Sequence, residues 1–335
     1  METATAQAVM VPMKVEWQPA WLTWVGATTT CLKALGVNCD PADVAGTSGY
    51  AFTMSVHEAL CPSGPTMFDW GSLLSGVNFL GRSTINYQSC DCYTGEFRND
   101  RTRAHCRMAY EIAAKEISEG RPCVIWGAYV PEFAVAIGIE GGMQEGKYIV
   151  KSCRECSKEE QPPISWDGLD APGGPYVLAF PTPTQFADRV GIDKQAVARA
   201  VRLLRSESAF PKYGFGLEAY DWWIKALETN TADAFGNAYN SQCYAEAKRY
   251  ARDFLGKVAS RNKKVAEPLS KAVEHYTGTV DAMSLLAKLF PFPPGEEVKD
   301  EKTRAKAVKA LKRAKKSEKK AVEALEDALK MDWKE

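Results

Sequence analysis

The chain has 335 residues, 45% hydrophobic and 25% charged, which is enough apolar side chain for a full core and a length that predicts two domains. Forty-two Lys and Arg balance forty-two Asp and Glu, so no global field directs the whole chain toward nucleic acid or an anionic membrane. No apolar run reaches the ~18 residues needed to span a bilayer, and the first residues lack a basic stretch followed by an apolar one, so the expectation is a cytoplasmic protein without a membrane partner.

Residues 1–20 read as an N-terminal arm. Leu22 to Leu35, rich in Thr and small residues, reads as a helix stopped by Gly36. Asp40 as a cap and Pro41 at the first helical position predict a second helix over 40–46. Residues 47–70 read as loop, with the turn signal CPSGP, and 70–81 as a short helix ending at Gly81. Over 101–120, Cys106, Ala109, Tyr110, Ala113 and Ile117 recur at three and four residues and Gly120 follows, which predicts an amphipathic helix. Strands are expected over 121–130, 132–141, 146–153 and 175–181, separated by Gly-rich turns. From about residue 183 the pattern reads as helix only. Thr184 and Asp193 stand as caps of the first of these helices, others follow over 216–228, 240–261 and 267–290, and a long last one runs over 300–330 after the breaker PFPPGEE. A helical layer followed by strands predicts an α+β domain over 1–182, joined to an all-helical domain over 183–335.

The stretches TWVGATTTCLKALG (23–36), EISEGRPCVIWG (116–127), EFAVAIGIEG (132–141) and YIVKSC (148–153) resemble, in order and spacing, the papain-like fold of bacteriocin-processing peptidases. They are more similar still to the N-terminal domain of the butirosin biosynthesis protein H family, acyltransferase relatives of those peptidases. The resemblance covers much of residues 20–180. In the second half, GFGLEAYDWW and HYTGTV look like features of the helical C-terminal region of uncharacterised bacterial relatives. The resemblance implies a Cys nucleophile at a helix N-terminus, a His base on a strand and an Asp or Asn that orients the His. Carried over residue by residue, the nucleophile falls on Thr23, the base on Glu132 and the orienting residue on Ser152, so the triad is missing. A carboxylate is far too weak a base for an alcohol nucleophile. The expected function is therefore a non-catalytic or repurposed papain-like protein that binds a small molecule, a peptide or a carrier-linked acyl group. Large aromatics around a few polar groups suit such a ligand, which makes Trp24, Tyr50, His57, Asp69, Trp70 and Glu132 the candidate binding residues, with Phe52 and Phe68 beside them. The same aromatics also suit a core.

Two alternatives stay open. One is an active thiol enzyme, acyltransferase or peptidase, using Cys31 two turns into the first helix, or Cys61 with His57 four residues before it and in reach if that segment is helical. The other is a metal- or metalloid-binding protein. Nine of the ten cysteines precede residue 157, and Cys90-x-Cys92 with Cys153-x-x-Cys156 can offer four thiolates to a tetrahedral zinc, the one cofactor this pattern supports. Cys153 and Cys156 also read as a redox pair. His105 and His275 read as structural. No phosphate loop, dinucleotide fingerprint, HExxH or EF-hand loop is present. Residues 302–320 hold ten Lys or Arg and one acid, Glu318, while Val308, Leu311, Val322, Leu325 and Leu329 keep a heptad phase that Lys315 and Glu318 interrupt. The expectation is a helix that packs one face in an antiparallel hairpin with 265–290 and solvates the other; an acidic partner at the basic face is the alternative.

Overall fold

Each expected strand is short and bounded by Gly or Pro, so the sheet is built from brief pairings, and the computed structural model places them in one antiparallel array. It describes residues 8–89, 100–141, 145–169, 173–186, 188–207 and 210–333. In chain order these include β1 (Val9–Met10), α1 (Thr23–Ala34), α2 (Pro41–Ser48), β2 (Ser55–His57), α3 (Trp70–Val77), β3 (Ile85–Gln88) and α4 (Asp100–Ser118). There follow β4 (Cys123–Trp126), β5 (Phe133–Glu140), β6 (Lys147–Lys151), α5 (Arg154–Ser157), β7 (Ile164–Ser165) and β8 (Tyr176–Ala179). The rest is α6 (Arg189–Leu204), β9 (Tyr213–Phe215), α7 (Ala219–Glu228), α8 (Ala234–Arg261), α9 (Ala266–Leu289) and α10 (Glu301–Lys330). By contacts the chain forms two compact units: Met1–Pro41 with Val77–Gln185, and Ala42–Gly76 with Phe186–Glu335. Residues 42–76 thus group with the helices that follow residue 186, a grouping that reading in chain order does not reveal. Among the described residues no helix is long and apolar enough to cross a membrane.

The first unit is the α+β one. Its sheet runs β3-β8-β4-β5-β6-β7, with β1 added antiparallel to β5. The β4–β5 hairpin pairs Cys123 with Ala136 and Trp126 with Phe133, and β6 returns with Lys151 opposite Val135. Helix α1 packs on β4 and β5, and α4 on β5 and β8. Every residue of α1 from Thr23 to Leu32 is buried. A Thr-rich helix tolerates this because Thr29 and Thr30 return their hydroxyls to the Val25 and Gly26 carbonyls (2.7 and 2.9 Å). In α4 the expected stripe Cys106, Ala109, Tyr110, Ala113 and Ile117 is the buried one. Three strands of this sheet were absent from the sequence pattern for a physical reason: β3 is an edge strand with an exposed, partly polar face, and β1 and β7 are each only two residues long.

The second unit is helical, with α7 to α10 packed together and α6 against α10. The hairpin across 290–300 forms, α9 lying along α10. Three details differ from the sequence reading. Residues after 183 are not all helical: β9 pairs antiparallel with β2, Ser55 opposite Phe215 and His57 opposite Tyr213, within a segment that reads as loop. The cap of α6 is neither Thr184 nor Asp193 but Asp188, which accepts from the Gly191 N–H (2.8 Å). Helix α8 starts at Ala234, six residues before the expected 240, because Asp233 caps it through the Gly236 N–H (2.6 Å). Asp193 is instead buried inside α6, where Arg261 grips it through two nitrogens (2.5 and 2.7 Å) and Asn262 adds a third donor (2.8 Å). Gly46 lets α2 lie directly on α8, since a Cβ there would come within 2.0 Å of the Phe254 ring.

Candidate functional site

Thr23 is the first residue of α1, and Glu132 is the residue before β5. The β4–β5 turn sets the position of Glu132. Gly127 takes φ +79°, which a side chain would resist, and its N–H donates to the Glu132 carbonyl (3.0 Å). The two side chains meet: the Thr23 hydroxyl donates to Glu132 Oε2. The same hydroxyl oxygen accepts the Phe133 N–H (3.1 Å). The one proton of Thr23 is thus committed to a carboxylate, and its oxygen is tied to the backbone of the next strand. Thr23 is buried and Glu132 half-buried.

Ser152 follows β6, which the register of Val135 with Lys151 brings alongside the start of β5. Its hydroxyl turns to Gln161 Oε1 (2.8 Å), and Gln161 passes on to Glu155 (2.9 Å). Among the described residues Ser152 has no hydrogen bond to Glu132. Cys153 is half-buried, and its thiol is pushed up to about 11 by burial first, then by the charges of Glu132 and Cys156. That is the opposite of activation. Across from it, Tyr129 donates to the Pro162 carbonyl (2.8 Å) and the Arg154 guanidinium lies 4.3 Å over its ring, which clasps the 127–132 and 152–162 segments together. Burial raises the Tyr129 phenol to about 12.

The other residues of interest are placed as follows. Trp24 is wholly buried, its indole N–H on the Tyr176 hydroxyl (3.0 Å), and Tyr176 in turn packs edge-on against Phe133 (5.3 Å). It is a support for the start of β5. Tyr50, Phe68 and Trp70 form one ring cluster in the helical unit, with centroids 4.5 to 5.8 Å apart. Tyr50 is buried and gives its hydroxyl to Pro65 O (2.8 Å); Asp69 is exposed and accepts the Gly71 N–H (3.0 Å). Phe52 belongs to the core, edge-on to Phe254 and Tyr276 (6.4 and 6.0 Å). The candidate binding residues therefore fall in two groups, Trp24 and Glu132 in one unit and Tyr50, His57, Asp69 and Trp70 in the other.

Cys31 is wholly buried, and burial raises its thiol well above the ordinary range, so it meets neither base nor solvent. His57 ends β2, so the helical spacing that would carry it to Cys61 does not arise. His57 Nδ1 accepts the Ala59 N–H (3.1 Å) and the ring stands edge-on to Tyr213 (5.0 Å). Cys61, half-exposed, receives the Ser63 hydroxyl (3.1 Å), which lies 2.7 Å from the Tyr213 hydroxyl. Ser63 and Tyr213 carried no signal in the sequence; the β2–β9 pairing brings Tyr213 here from 150 residues away. Cys90 and Cys92 lie outside the described residues. Cys156 is exposed, and among the described residues no three His, Cys, Asp or Glu side chains are grouped to hold a metal.

A second charged cluster lies in the helical unit. Glu318 and Lys248 are both wholly buried, with Nζ 2.8 Å from Oε1 but off the line of a well-aligned hydrogen bond. Tyr220 donates to Glu318 Oε2 (2.6 Å) and Tyr276 to Oε1 (3.0 Å). Both phenols are raised, by burial first and by the Glu318 charge second. The signal was present in the sequence: Glu318 stands seven residues after Leu311 and seven before Leu325, at a core position of the heptad.

No protein-family model and no curated protein matches the chain.

Proposed function

We propose that the α+β unit is a papain-like domain repurposed for binding, and that it holds an amine-bearing or otherwise cationic group of a small molecule, peptide or carrier-linked acyl chain at Glu132. The observation that carries this reading is the Thr23–Glu132 contact. The residues on the nucleophile and base positions of the resemblance lie against each other, at the start of a buried helix and the start of the strand it packs on. This contact supports the reading of a site that lacks the chemistry of a nucleophile and its base. Thr23 donates a hydrogen bond to a carboxylate, which is too weak a base to generate an alkoxide at neutral pH. The adjacent thiol, Cys153, is held protonated. What supports binding is a carboxylate that is only half-buried, so that it can accept a charged hydrogen bond from a ligand in exchange for solvent.

The test is residue-resolved alkylation of the native protein by mass spectrometry, with and without a chelator, beside a thermal-shift screen of amines, peptides and acyl-pantetheine thioesters. The binding reading expects ordinary or slow alkylation at every cysteine and a stabilising ligand whose effect is lost in Glu132→Gln. A single thiol titrating well below the ordinary ~8.5 would overturn it in favour of a thiol enzyme. Chelator-dependent protection of Cys90, Cys92, Cys153 and Cys156 would overturn it in favour of a metal site.

A further inference from the structure

The outer face of α10 does not behave like an ordinary solvated face. At 100° per residue, Lys302, Lys306, Lys309, Arg313, Lys316 and Lys320 fall in one row, in steps of four, three, four, three and four residues. All six are exposed, and none makes an ion pair with a described residue. The row is about 27 Å long, at 1.5 Å per residue. The one acid within 302–320, Glu318, is turned into the core and held by Lys248, so no exposed acid of α10 interrupts the row. The next acids, Glu323, Glu326 and Asp327, come only in the last turns.

This arrangement works against the helix that carries it. Like charges at three and four residues repel. A face shaped for solvation alone would interleave the two signs. Beside the row, between α7 and α10, runs a groove of about 430 Å³ lined by Ile224, Lys225, Asp221, Glu228, Lys316 and Lys319 among others. Its two acids are already engaged, Glu228 by Lys312 (3.1 Å) and Asp221 by Lys315 (2.5 Å).

We infer that this row docks an acidic helical segment of another protein, about 18 residues long, with Glu or Asp at the same four-three spacing. Two α-helices side by side present side-chain rows of the same pitch, so each cation meets one acid and every like-charge neighbour in the row is screened. A nucleic acid is the less favoured occupant. The row carries no aromatic for bases to stack on and five of its six cations are Lys, without the fork that grips a phosphate. The zero net charge of the chain also gives no long-range pull on a polyanion.

The test uses the full chain and two fluorescent 21-residue peptides of identical composition, six Glu in an Ala and Gln background. One has the glutamates at four-three spacing and the other has them spread around the helix. Anisotropy titrations at 50 mM salt are expected to show the row-spaced peptide binding at least ten-fold tighter than its isomer. The triple variant K306E/R313E/K316E loses at least ten-fold, while K33E/K263E/K288E, reversed elsewhere on the surface, binds as the parent does. Circular dichroism confirms that the variants stay helical, since every changed side chain faces solvent. Equal binding of the two peptides, or no binding of either, overturns the inference and leaves a solvated face. Tighter binding of a 20-nucleotide single strand or duplex overturns it in favour of a nucleic-acid surface.

Discussion

Two carboxylates in this protein each meet a partner from a distant part of the chain, and they differ in one respect. Glu132 is half-buried at the end of a hairpin turn, where it takes the Thr23 hydroxyl. Glu318 is wholly buried among three helices, where it takes Lys248 and two tyrosines. Water reaches the first and does not reach the second. A carboxylate that keeps some solvent can exchange it for a ligand. One sealed in the core cannot, and its partners become a condition of folding. The Glu318 cluster locks the helices; the Glu132 pair is where chemistry or recognition remains possible.

The largest effect that tests this contrast is Lys248→Ala. It leaves Glu318 buried without a cation and is expected to cost about 3–5 kcal/mol in urea unfolding of the protein. The double change Lys248→Met with Glu318→Leu removes both charges and recovers most of that loss. A Lys248→Ala cost under about 1 kcal/mol would mean water reaches the cluster after all. Next, Glu132→Gln is expected to weaken an amine ligand by about ten-fold or more, the worth of one charged hydrogen bond, with little change in stability. Unaltered affinity across the ligand panel would remove Glu132 from the site.

A smaller effect is on pH. Cys153 alkylation is expected to titrate near 11, above the ordinary ~8.5, and Glu132→Gln shifts the midpoint down by removing a like charge. Because the folded state holds this proton more tightly than the unfolded chain, the contribution to stability is intact below the unfolded value of ~8.5 and falls as pH rises toward about 11. A midpoint that ignores the Glu132 change would place the two groups farther apart than the structure does. The smallest effect is expected from Thr23→Ala. It removes one hydroxyl and costs about 1 kcal/mol, and any measurable activity stays as it was. A thousand-fold loss of activity would make Thr23 a nucleophile and dissolve the contrast between a binding edge and a structural core.

Much of the fold was legible because periodicity survives in single elements. The stripe of α4, the glycine stops at 36, 81 and 120, and the four strands of the sheet core all follow from local pattern. The β2–β9 pairing was not legible, since each strand has three residues and its hydrogen bonds come from a partner about 160 residues away. Of the candidate site, aligning the resembling stretches brought Thr23 and Glu132 together on paper, and Ser152 near them. That Ser152 turns to Gln161 depends on a loop whose course no residue pattern encodes. His57 and Cys61 were linked by helical spacing, which fails because a strand ends at His57 and the chain turns after it.

By itself, then, the sequence determined the α+β and helical halves, most element boundaries and the cation row of α10, because these depend on neighbours within a few residues. Tertiary structure alone decided which charges are sealed. Lys248 and Lys316 are both lysines on amphipathic helices, and Glu318 and Glu323 are glutamates five residues apart on one helix. Only the packing of α7, α8 and α9 around α10 puts Lys248 and Glu318 beyond the reach of water and leaves Lys316 exposed to it. Burial is a property of several elements together, and the free energy of a charged group depends more on burial than on its chemistry.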